Sequence, residues 1–92
     1  MGYLQSPPYD FAVAKRDTHD DRYMKAIGAL RVARNKAGIT QVELAATLGK
    51  RQQFVSKYES GERRLDIIEF LDVAKAIGIE AKSLILDLYR DQ

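Results

Sequence analysis

Residues 40–61 read TQVELAATLGKRQQFVSKYESG, and this stretch decides the architecture of the chain. Thr40-Gln41-Val42-Glu43 forms a capping box. The Thr40 hydroxyl can accept from the Glu43 amide while the Glu43 carboxylate reaches back to the Thr40 amide. Leu44, Ala45 and Leu48 then lay one narrow apolar stripe over two turns. Gly49 is placed to end that helix in the left-handed conformation that other residues avoid. A second segment, about Gln52 to Ser60, buries less. Val55, Tyr58 and the stem of Glu59 share one side, while Gln53, Ser56, Lys57 and Ser60 make the other side hydrogen-bonding. Two short helices about a tight glycine turn, the second with a polar outer face, describe a helix-turn-helix over residues 40–60.

The rest of the chain is read around that unit. Ninety-two residues allow one small domain with a single core, and 46% hydrophobic residues are enough to build it. With no cysteine, neither a disulfide framework nor a thiolate zinc site is available, which fits a reducing, cytoplasmic setting. No apolar run approaches a membrane span, and the N-terminus lacks the pattern of a secretory signal. A single histidine, His19, leaves little for acid–base or metal chemistry, so no enzyme, metal, cofactor or small-molecule ligand is expected. The net charge of +2 is uninformative until it is mapped. Residues 50–64 hold Lys50, Arg51, Lys57, Arg63 and Arg64 against Glu59 and Glu62, a net of +3, whereas residues 65–92 carry a net of −3. A basic excess on the second helix and the loop after it is the footprint of phosphate neutralisation.

Residues 1–19 differ in kind. Pro7-Pro8 excludes a helix interior, and Phe11 and Val13 alternate with alanines in a way that allows a short strand. This extension, non-helical and carrying Tyr3, Leu4, Tyr9, Phe11 and Val13, is expected to pack on the domain formed by residues 20–92, the alternatives being a disordered leader, a dimer-swapped arm or an arm reaching DNA through Lys15 and Arg16. Asp20 or Asp21 is placed to cap a first helix running to Ala37, with Tyr23, Ile27, Leu30 and Ala37 inward and Gly38 as its stop. Glu62-Arg63-Arg64 reads as a loop. A fourth helix opens at Asp66, with Glu69 three residues on, and presents Ile67, Phe70, Leu71, Ala74 and Ile77 before Gly78. A last helix spans about Ala81 to Tyr89. Its Leu84 and Ile85 suit the core, and its Leu86 and Tyr89 point elsewhere.

The string Gln41-x-x-Leu44-Ala45-x-x-Leu48-Gly49, followed by Val55-Ser56-Lys57-x-Glu59-x-Gly61, resembles the phage Cro and repressor domains known as the Xre family, over roughly Ala26 to Ile85. The resemblance implies an all-α, compact five-helix bundle of the lambda-repressor type, binding a palindromic operator as a homodimer. It also implies that an arginine of the first helix, here Arg34, bridges to Glu59, and that Gln41 meets a backbone phosphate while buttressing the second helix. The N-cap position, commonly Ser or Thr in such domains, is Arg51 here, which forgoes a bond of about 1 kcal/mol.

A helix entering the major groove must offer polar side chains on the face turned from its own core. Gln52 and Gln53 can pair with adenine and Lys57 with guanine. Phe54 is either a contact for a thymine methyl or a helix-edge aromatic. Arg51, Arg63 and Arg64 suit phosphates, with Ser56 and Ser60 as weaker contacts. The helix start at Gln41 attracts an anion in its own right. Leu86 and Tyr89, a surplus apolar pair on a terminal helix, are expected to mark a dimer interface, the alternative being that the N-terminal extension covers them. The expected function is a transcriptional regulator, a repressor or autoregulator binding double-stranded DNA. The alternative is an antitoxin-like or partner-binding bundle with little direct DNA contact.

Overall fold

The computed structural model describes residues 20–90, and the expectations for residues 1–19 lie outside them. Five helices follow one another: α1 (Asp21–Lys36), α2 (Gln41–Leu48), α3 (Gln52–Ser60), α4 (Ile67–Ile77) and α5 (Ala81–Arg90). Among the described residues there is no strand. Helix α1 starts at Asp20, whose carboxylate accepts from the Arg22 and Tyr23 amides. Those two bonds hold the Asp20 carboxyl below its ordinary pKa. Both capping boxes form. Thr40 and Glu43 exchange bonds at the start of α2, and Asp66 and Glu69 do so at the start of α4. Satisfying two amides at each start fixes where the chain turns into a helix, so the loops between helices stay short. The turn after α2 needs a left-handed residue, and Gly49 supplies it at φ 70°.

The core is one cluster. Ile27 and Leu30 of α1, Leu44 and Ala45 of α2, Val55 and Tyr58 of α3, and Phe70, Val73, Ala74 and Ile77 of α4 are buried together. Helix α2 packs on α3 and α4, α1 packs on α3, α4 and α5, and α4 also meets α5. The recognition unit α2–α3 is thereby held from behind by α1 and α4, leaving the outer face of α3 uncovered.

Four inward assignments need correction. Ala37 lies beyond the last turn of α1, as its C-cap, and is exposed. On α4 the buried stripe is Phe70, Val73, Ala74 and Ile77, so Ile67 and Leu71 are exposed while Val73 takes a core place. Leu71 falls one position off the stripe, and Ile67 sits in the first turn, on the rim of a groove bordered by α1, α4 and α5. On α5, Leu84 packs against the core, but Ile85 is 41% exposed and no α5 residue is fully buried.

Candidate nucleic-acid interface

The outer face of α3 begins with an uncapped turn. Arg51 occupies the N-cap with extended backbone and no side-chain bond to the helix. Gln52, Gln53 and Lys57 are all exposed. Among the described residues, Arg51 and Lys57 enter no ion pair, so both cations remain available to a ligand. Ser56 and Ser60 turn their hydroxyls onto their own helix, donating to the carbonyls of Gln53 and Lys57, and Ser60 Oγ also accepts from the Glu62 amide. Arg64 stacks on Tyr23, its guanidinium carbon 4.0 Å from the ring centre. Tyr23 in turn accepts from the Leu65 amide through its hydroxyl, tying the loop after α3 to α1.

Behind this face sits a buried ion pair. Arg34 donates from Nε to Glu59 Oε2 at 2.7 Å and from Nη2 to Oε1 at 3.0 Å, and its Nη1 donates to the Ile39 carbonyl at 2.8 Å. The two side chains are 9% and 3% exposed. A fork-on-fork pair whose third nitrogen also has an acceptor is the geometry in which a shielded ion pair is tolerated. The Glu59 hydrogen bonds raise the pKa of Arg34 against the opposing effect of burial. Glu59 Oε1 also accepts from Gln41 Nε2 at 2.9 Å, and Gln41 Oε1 accepts from Gln52 Nε2 at 3.0 Å. An unbroken hydrogen-bonded series thus runs from the first helix to the exposed start of α3. Gln41 is half-buried at the start of α2, with its amide engaged on both sides.

Phe54 takes the helix-edge place of its two expected ones, and Arg63 stands differently from the sequence expectation. Phe54 is half-buried and packs against the core, edge-on to Tyr58 with ring centres 5.7 Å apart, rather than standing in the open with Gln52 and Gln53. Arg63 is held within the protein by Glu69, at 3.0 and 2.8 Å, because the capping carboxylate of α4 opens toward the preceding loop. Sequence reading missed Glu69 as a partner for Arg63 and Lys50 as a neighbour of the Phe54 ring, at 5.2 Å. The Lys50-to-Phe54 spacing of four was legible, but the Glu69 pairing depends on the path of the loop. The Tyr58 hydroxyl is buried with no hydrogen-bond partner, and burial pushes its pKa well above the usual phenol range.

Helices α1, α4 and α5 border a largely apolar groove of about 490 Å³ lined by Tyr23, Ile27, Phe70, Ile85, Leu88 and Tyr89, among others, and reaching Arg64. Leu86 and Tyr89 are 42% and 71% exposed on α5. Among the described residues no cluster of His, Cys, Asp or Glu could hold a metal ion, and no helix is long and apolar enough to cross a membrane.

A helix-turn-helix family model matches residues 30–84, from the middle of α1 into α5. The chain belongs to the Xre family of helix-turn-helix proteins. A solved Xre-family-like protein from Pseudomonas syringae pv. tomato superposes with a TM-score of 0.76 and 49% identity, covering 80% of this chain and 90% of that one. An "uncharacterized HTH-type transcriptional regulator" of Sinorhizobium fredii is 35% identical over 52 residues, 56% of this chain and 68% of that protein. The Xre match spans both helices of the recognition unit and the α1 segment that carries Arg34.

Proposed function

We propose that this Xre protein is a sequence-specific transcriptional regulator that binds operator DNA as a homodimer, with α3 lying in the major groove. One observation carries the reading: an exposed row of Gln52, Gln53 and Lys57 stands on a short helix whose inner side is anchored by a buried ion pair. Groups meant to read base edges must be exposed yet rigidly oriented, and ordinary solvated faces have no such backing. Gln52 and Gln53 pair with adenine, and Lys57 donates to guanine. Arg51, Arg64 and the starts of α2 and α3 engage phosphates, with Gln41, Ser56 and Ser60 at the margins. Two-fold pairing through Leu86 and Tyr89 sets the two α3 helices about 34–36 Å apart, matching a palindromic site. The exposure of Leu86 and Tyr89 supports that pairing. Repression or autoregulation follows when such a site overlaps a promoter.

Selection from random-sequence duplexes with the purified protein tests the reading. The expected product is an inverted repeat whose affinity falls steeply with salt as counterions are released. Recovery of no common sequence, or binding indifferent to salt, contradicts it and returns the chain to the partner-binding alternative.

A further inference from the structure

The first turn of α3 carries two of the three proposed base readers, Gln52 and Gln53, on an end of the helix that the core holds through Phe54 and Val55. Its N-cap makes no side-chain bond, and of α3's buried residues Val55, Tyr58 and Glu59, two lie in the last turn. The Arg34 ion pair also grips that far end, at Glu59. Besides the bond from Gln52 to Gln41, a separate cluster holds the near end. The Phe54 ring, adjacent to Gln53, has the Arg63 guanidinium carbon at 4.8 Å and the Lys50 ammonium at 5.2 Å from its centre. Arg63 is itself fixed. Nη1 donates to the Arg64 carbonyl and to Glu69 Oε1, and Nη2 donates to Glu69 Oε2. Three of its five N–H donors are therefore used inside the protein. Glu69 is immobile in turn, because its Oε1 also accepts from the Asp66 amide in the capping box of α4.

We infer that Arg63, clamped by Glu69 and stacked on Phe54, is a positioning residue that sets the roll of the recognition helix from α4, and that it does not act as a phosphate contact. Cation–π stacking on a half-buried ring resists rotation of α3 about its own axis, which is the motion that would sweep Gln52 and Gln53 away from the base edges. A planar fork can stack and bind both carboxylate oxygens at once, whereas an ammonium cannot. The inference rests on the DNA-binding reading and is separable from it.

The two roles for Arg63 differ in the sign or slope of measurable quantities. The operator recovered by selection with the wild-type protein serves as the probe, titrated by fluorescence anisotropy over a series of salt concentrations. Circular dichroism fixes a temperature at which every variant is folded. A phosphate contact predicts that Arg63→Ala flattens the log–log salt slope by about 0.9 per half-site and that Arg63→Lys retains most of the affinity. The positioning role predicts parallel salt slopes, with Arg63→Ala and Arg63→Lys both weakened by roughly threefold to tenfold per half-site. Glu69→Gln is the sharper variant, since glutamine still completes the capping box. Removing a negative charge beside a polyanion tightens binding if Arg63 is merely released to the phosphates. If Arg63 positions α3, Glu69→Gln weakens binding by a similar factor. A flattened slope in Arg63→Ala, or unchanged or tighter binding in Glu69→Gln, overturns the inference. Failure of the wild-type protein to select any operator overturns the DNA-binding reading instead.

Discussion

Replacing Glu59 with alanine removes the acceptor for three donors at once: Arg34 Nε, Arg34 Nη2 and Gln41 Nε2. A guanidinium cannot shed its proton to relieve the loss, so Arg34 stays charged in a buried site with only the Ile39 carbonyl left to it. Breaking a shielded pair from one side costs on the order of 3–5 kcal/mol. A domain of this size has a total stability of about 5–10 kcal/mol, so the variant is expected to lose a large share of it. The melting temperature should fall by at least roughly 12 °C, taking the lower bounds for both the energy and the shift per kcal/mol. Differential scanning calorimetry reads this directly. The operator affinity of whatever fraction remains folded should fall too, because Gln41 loses its fixed partner. The double variant Arg34→Met, Glu59→Leu separates the two effects. Two apolar side chains of similar length should restore most of the stability, since removing both charges also removes the desolvation penalty. They should not restore binding. Lost DNA binding with unchanged melting in Glu59→Ala would falsify the bracing role.

Other positions give independent checks. Tyr58→Phe deletes a buried hydroxyl that has no partner, so melting should hold or rise slightly, and a loss above about 1 kcal/mol would contradict that reading. Arg51→Ser supplies the missing N-cap oxygen; thermal stability should rise by about 1 kcal/mol while operator affinity falls, and a gain in both would remove Arg51 from the phosphate contacts. Leu86→Asp should give monomers by sedimentation velocity and weaken operator binding, whereas an unchanged sedimentation coefficient counts against pairing through α5. The bonds from Arg63 and then the Asp66 amide hold the Glu69 carboxyl below its ordinary value of 4.5. A depressed carboxyl stabilises the fold above its unfolded pKa, and that contribution is lost as pH falls from about 4.5 through the lower folded value. Acid titration of Glu69→Gln should therefore show a shallower loss of stability than wild type over this range, and identical curves would exclude the linkage.

Elements defined by local chemistry were legible in the sequence. Thr40 with Glu43, Asp66 with Glu69, and the glycines after α1 to α4 mark boundaries through local bonds, and the helix bounds follow them closely. The poor cap at Arg51 was equally local. Burial was harder to read wherever a helix carries apolar residues on more than one side. Ile67 and Leu71 on α4 and Ile85 on α5 are as apolar as their buried neighbours, and only the placement of α1 and α2 decides among them. The bridge between Arg34 and Glu59 spans 25 positions, and family resemblance, rather than spacing, pointed to it. In the cluster of Lys50, Phe54, Arg63 and Glu69 only the Lys50-to-Phe54 spacing is local, because the rest forms where the loop after α3 folds back across the helix start.

The series from Arg34 to Gln52 has a direction. A carboxylate accepts and cannot donate, so Gln41 must turn its NH₂ toward Glu59 and its oxygen outward. That oxygen also only accepts, so Gln52 must offer its own NH₂ inward. The polarity of the outermost amide is thereby dictated from the first helix, much as a keyed connector admits a plug one way round. Glutamate at position 52 would set oxygen against oxygen, and Gln41 could not turn over to receive it without abandoning Glu59. A donor at position 52 keeps the series intact, so a change of side chain there that preserves the series has to begin at Gln41 or deeper, away from the surface proposed to meet the DNA.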